Sequence, residues 1–313
     1  MRTRRFGRVG FQVSELALGT WGLSGEAYGA PHEEDVGRIV ELAVELGITL
    51  FDTADAYGDG AMERLLGMRL DATKTQVVTR LGTLRDATPP MKRFDAETLK
   101  TRLAASRDRL QREVIDVVLL HNPSAAALRG SDGVDFLKEE AKLGRIGAWG
   151  VSAGSMEVVH AAVDRSADAV MLAYNVFHAG DLHKLTDRLA ATDTAVLARS
   201  VLSHGLLSGH WGPHKTFFDG DTRAARWTPE GLRYRVSQLQ AVRRLVAGEV
   251  LTLRAAALRF ALANQLVSSA VLGVRSTTQL RQLVREAGEG PEYFDEETLL
   301  RMPEILASAG IEL

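Results

Sequence analysis

The chain has no cysteine among its 313 residues. Disulfides and thiolate catalysis are therefore excluded, although the absence alone does not fix a compartment. Charge of one sign is also missing. The formal net charge is −2, so there is no electrostatic case for binding nucleic acid or an anionic membrane. Arg2, Arg4 and Arg5 form a basic start too short to change that, and they read as a solvated segment. No apolar run approaches the roughly 20 residues needed to span a bilayer. The start lacks the apolar segment of a secretory signal, so a cytoplasmic address is the expectation. Aromatic residues are scarce, at 6%, which makes any cluster of them informative.

Apolar material is plentiful, with 45% hydrophobic and 25% charged residues, enough for a large core. Residues 1–313 are expected to form one domain, because an α/β barrel commonly uses this length as a single unit. After a hairpin turning at Gly10, the first barrel strand is expected at Leu16-Ala17-Leu18, closed by Gly19. Short apolar runs then recur at 48–52, 76–80, 115–120, 146–151, 168–173, 195–199 and 269–272. Between them lie helical spacings, as in Val36, Ile39, Val40, Ala43 and Val44. Eight strands alternating with helices predict a (β/α)8 TIM barrel. A doubly wound sheet would open with a Gly-rich phosphate turn, and Gly19-Thr20-Trp21-Gly22 is not one.

Two stretches break the alternation. Residues 203–235 read as a long connection holding Trp211, Phe217, Phe218, Trp227 and Tyr234, expected as a substrate wall at the C-terminal face. Leu81 to Pro90 is rich in Gly, Pro and Thr and should border the same mouth. Trp21 and Tyr28, which follow the first strand, should line it too.

The chemistry concentrates at strand ends. The run Phe51-Asp52-Thr53-Ala54-Asp55-Ala56-Tyr57-Gly58 sets a carboxylate and a phenol at the mouth of a buried strand. A buried carboxylate needs a cation, and a phenol beside that cation can have its pKa lowered. Arg80 and His121 end the next two strands and are the candidate partners. His204, His210 and His214 lack carboxylates arranged around them, so no metal site is expected.

The Phe51–Gly58 run, Leu119-Leu120-His121-Asn122-Pro123 and Gly150-Val151-Ser152 resemble the aldo-keto reductase family. The likeness extends from Val13 to Ser276. It implies reduction of an aldehyde or ketone by hydride from a nicotinamide cofactor, NADPH or alternatively NADH. Tyr57 would be the general acid, Asp52 would anchor the cation Arg80, and His121 would orient the carbonyl oxygen. The cofactor would lie along Gly19, Thr20, Trp21 and Asp52, then Ser152. It would continue over Arg199, Ser200, Leu202 and Gly205 to Gly273, Arg275 and Gln279.

Five positions depart from the family pattern. Arg80 stands where the family has lysine, which keeps the charge but adds bulk and a planar fork. Ala153 and Met171 stand where an asparagine and a glutamine hold the nicotinamide amide. Arg199 stands where many members stack an aromatic, and Leu283 where an asparagine contacts adenine. These changes leave two other readings open: a non-redox lyase, dehydratase or isomerase using the same acid–base residues, and a non-catalytic dinucleotide sensor. The partner in the leading reading is a small carbonyl compound; the sequence does not fix the oligomeric state.

Overall fold

The computed structural model describes residues 1–29, 31, 33–85, 87–288, 290 and 293–313. Thr3–Arg5 and Gln12–Ser14 pair as an antiparallel hairpin. Eight parallel strands then close a barrel in chain order: Leu16–Gly19, Leu50–Asp52, Gln76–Leu81, Ile115–His121, Ile146–Ser152, Ala169–Ala173, Ala195–Arg199 and Val267–Gly273. The expected barrel and hairpin are both present. Helices connect the strands and pack outside them, including Glu33–Glu45, Ala96–Leu110, Asp132–Lys142, Met156–Asp164 and Leu253–Ala263. Among the described residues, no helix is long and apolar enough to cross a membrane.

Strand alternation sorts each run into two layers. In the fourth strand, Val118 and Leu120 pack outward with the helices, while Val117 and Leu119 fill the barrel interior. Ala17, Leu50, Val78, Ala148, Met171, Leu197 and Val271 join that interior, and Phe6 and Val13 of the hairpin segment plug its lower end. Phe6 stacks on Phe11 at 4.7 Å. Each large apolar side chain so buried is worth roughly 1.5–3 kcal/mol. Gly150 is required by the closeness of the strands: a Cβ there would lie 1.9 Å from the Ala169 carbonyl oxygen.

Segment 203–235 differs from the expected loop. Thr222–Arg226 is a short helix, and Pro229–Arg243 is a long one that starts at Pro229 with Thr228 accepting from the Gly231 amide. A capping threonine followed by proline at the first helical position starts a helix. Tyr234 therefore sits on an exposed helical face, its hydroxyl accepting from Gln238.

Candidate active site

The period of two that fills the barrel also builds the site. Asp52 is in phase with Leu50, Arg80 with Val78, His121 with Leu119, Ser152 with Ala148, Arg199 with Leu197 and Gly273 with Val271. Interior-facing columns thus end in polar residues at the C-terminal mouth, where the packed core stops. A cavity of about 770 Å³ opens there. Its lining includes Tyr57, Arg85, His121, Arg275 and Gln282.

Tyr57 is brought in by the turn after the second strand. The Thr53 and Asp55 amides donate to Val78 and Arg80 carbonyls, tying that turn to the third strand. Arg80 donates to Asp52 Oδ2 at 2.7 Å and to the Thr53 carbonyl at 3.3 Å. Both partners of this ion pair are buried. The guanidinium lies 5.0 Å from the Tyr57 ring centroid, and the His121 ring meets Tyr57 edge-on at 5.9 Å. The four residues expected to form the catalytic set are thus assembled around one point.

The electrostatics correct one expectation. The Tyr57 phenol is pushed up to about 12, because burial outweighs the lowering by Arg80, and Asp52 adds to the rise. Asp52 is raised to about 6 by burial against the pull of Arg80. His121 is held well below its usual range by burial first, then by the charges of Arg80, Lys92, Arg85 and Arg199. At neutral pH the phenol therefore keeps its proton and the imidazole is neutral. Behind the turn, Glu63 accepts from Thr79 Oγ1 at 2.5 Å and from Arg109 Nε at 2.7 Å. Asp55, buried nearby, is raised to about 7 by burial first and by the charge of Glu63 second.

Every expected cofactor residue lines the cavity except Thr20. Thr20 is fully buried, and both its amide and its hydroxyl donate to the Asp52 carbonyl, so it fixes the second strand's end from behind. Arg199 donates to the Ala153 carbonyl at 3.2 Å and to Ser200 Oγ at 3.4 Å. Its Nε has no hydrogen-bond partner among the described residues. Gly273 has no heavy atom within 4 Å of where a Cβ would stand, which leaves the floor open. Arg275 donates to the Gly29 carbonyl at 3.1 Å, and its amide donates to Gln279 Oε1 at 2.8 Å.

Asn122, Lys92, Arg223 and Arg226 are among the lining residues not singled out from sequence. Asn122 has φ 52° and accepts from Ser152 Oγ at 3.2 Å, putting an amide beside the one hydroxyl left by the Ala153 and Met171 changes. Its signal was the asparagine inside the Leu119–Pro123 run. Lys92 donates to the carbonyls of His121 and Asn122 at 2.7 and 3.2 Å. It arrives through a two-residue ribbon, Thr83–Leu84 against Met91–Lys92, too short to carry a pattern. Arg223 and Arg226 lie in the helical turn Thr222–Arg226.

Of the five aromatics expected as a wall, Trp211 alone faces the cavity. Phe217 and Trp227 pack behind it at 5.1 and 6.4 Å, and Phe218 is exposed. This segment is a strap across the groove. Thr222 donates twice to the Ala27 carbonyl, and Arg223, bound to buried Asp221, lies 4.4 Å from the Tyr28 ring and 5.6 Å from Trp211. Trp21 and Tyr28 both line the cavity, as expected. Among the described residues, no group of three or more His, Asp or Glu side chains could hold a metal.

A profile of the aldo/keto reductase family matches residues 15–294. The chain belongs to that family. It is, accordingly, an oxidoreductase, and the family's nicotinamide chemistry is the frame for its cavity. An uncharacterized oxidoreductase of Mycobacterium tuberculosis is 32% identical over 76% of this chain and 73% of its own length. The L-galactose dehydrogenase of Arabidopsis thaliana is 27% identical, over 97% of this chain and 93% of its own. A solved glycerol dehydrogenase from Gluconobacter oxydans superimposes with a TM-score of 0.83 at 24% identity, covering 98% of this chain and 95% of that one. At that identity the last likeness speaks for the fold alone.

Proposed function

We propose that this aldo/keto reductase reduces an aldehyde or ketone with hydride from NADPH, NADH being the alternative donor. The observation that carries the reading is the buried Tyr57, held protonated between Arg80 and His121 at one end of the cavity. A phenol raised to about 12 is a proton donor, not a base, across the neutral range.

A bound reduced nicotinamide supplies the hydride, and the rest falls to the chain's own groups. Tyr57 gives its proton to the carbonyl oxygen as hydride reaches the carbon, so the product is the alcohol. Neutral His121 donates one hydrogen bond to that oxygen. Arg80 offsets charge that develops on the oxygen and on the phenol, and Asp52 holds the guanidinium in place. The residues fit the cofactor. The Ser152–Asn122 pair offers a hydroxyl and an amide for the carboxamide, which answers the loss at Ala153 and Met171. Arg199 and Trp21 flank the ring end. Ser200, Leu202 and Gly205 border the pyrophosphate, with Gly273 as open floor.

Arg275 and Gln279, at the start of the helix Thr277–Ala287, are the candidates for the adenosine end and its 2′-phosphate. Trp21 and Trp211 face the cavity, so their fluorescence can follow a titration. NADPH and NADH are both expected to quench it, and Arg275→Ala should weaken NADPH more than NADH. Equal losses would remove Arg275 as the reader of the phosphate. No quenching by either cofactor at millimolar concentration would remove the reductase reading.

A further inference from the structure

We propose that the carbonyl substrate is itself an anion, bearing a carboxylate or phosphate that Lys92 holds at the rim beside His121. The inference rests on the reductase reading for the carbonyl and on charge for the rest. Among the described residues, eight cationic side chains line the cavity, against one carboxylate, Asp52. Four of the cations are answered: Arg80 by Asp52, Arg85 by Glu26, Arg223 by Asp221 and Arg254 by Glu286. Lys92, Arg199, Arg226 and Arg275 have no carboxylate partner among the described residues.

The unanswered four divide by position. Arg226 and Arg275 act on Tyr28, on the strap side of the groove, where the phosphates of a dinucleotide would use them. Lys92 and Arg199 act on His121, at the end where the carbonyl must sit. Arg199 is engaged below by Ala153 and Ser200. Lys92 differs: it is an exposed rim residue whose ammonium, among the described residues, bonds to the carbonyl oxygens of His121 and Asn122 and has no carboxylate partner. An anion within reach of it would gain a charge-assisted bond in a partly desolvated setting.

The test compares matched pairs. The ratio of kcat/KM is measured for succinic semialdehyde against butanal, and for glyceraldehyde 3-phosphate against glyceraldehyde. At least one anionic member should be favoured roughly ten- to a hundredfold, the worth of one charge-assisted bond. That ratio should collapse in Lys92→Met and persist in Lys92→Arg, and added salt should erode it. Preference confined to one pair distinguishes carboxylate from phosphate. Equal kcat/KM within both pairs overturns the proposal while leaving the reductase reading intact. If neither pair is turned over, calorimetry decides. Succinate or inorganic phosphate is then titrated with NADPH present. Binding that Lys92→Met abolishes supports the anion site, and absent or Lys92-independent binding overturns it.

Discussion

Arg80 is the residue on which the site turns. Its guanidinium touches Asp52, the Thr53 carbonyl and the face of Tyr57 at once. Removing it in Arg80→Met strands a buried carboxylate, a change worth about 3–5 kcal/mol of stability. It should also lower turnover by about 10²–10⁴-fold. Arg80→Lys separates the two roles, because it keeps the charge and gives up the second contact. Thermal unfolding near wild type together with substantial reductase activity is the expected result. A stable Arg80→Met protein with wild-type kcat would make Arg80 structural only. The pH profile follows from the same group. Asp52 is raised to about 6, so kcat/KM should fall as the pH drops through that value and Arg80 loses its counter-ion. Tyr57 imposes no loss until strongly alkaline pH.

The barrel strands were legible as elements because their apolar runs are short, evenly spaced and bounded by turn residues. Their C-terminal polar residues could be read for the same reason: alternation carries Leu119 to His121 and Val78 to Arg80 without any knowledge of the fold. The strap was not legible in this way. Its aromatics marked it as unusual, yet which of them faced the cavity depended on Asp221, Thr222 and Arg223 meeting Ala27 and Tyr28, contacts almost 200 positions apart in the chain. Arg223 is the latch. In Arg223→Ala the cofactor is expected to dissociate faster, seen in stopped-flow recovery of tryptophan fluorescence, with little change in unfolding temperature. An unchanged dissociation rate would mean that the strap does not gate the groove.

For the whole molecule, buried titrating groups pull stability in opposite directions with pH. Asp55 is raised to about 7. Its contribution is complete below the ordinary carboxylate pKa and is lost as pH rises through about 7. His121 and His204 are lowered by burial first, so their contribution is present above about 6.5 and is lost as pH falls. Maximum stability is therefore expected between these limits. Asp55→Asn should remove the alkaline-side loss and raise the unfolding temperature at pH 8 relative to pH 6. An unchanged difference between the two pH values would mean that Asp55 is ionised in the folded protein. Composition had shown none of this: a net charge of −2 conceals both the buried acids and the cationic cavity. Lys92 was hidden because its position comes from a two-residue ribbon, which leaves almost no trace in sequence, whereas Asn122 stood inside the Leu119–Pro123 run.

The central claim is hydride transfer to a carbonyl with Tyr57 as proton donor, and isotope transfer tests it most directly. NADPH carrying deuterium at C4 is incubated with the protein and succinic semialdehyde, butanal or glyceraldehyde, and the alcohols are weighed by mass spectrometry. Reductase chemistry predicts one deuterium on the former carbonyl carbon, from one face of the nicotinamide only. Tyr57→Phe should lower the rate about 10²–10⁴-fold while still binding the cofactor. Products formed without deuterium from both the 4R- and the 4S-labelled cofactor, or full activity in Tyr57→Phe, would contradict it.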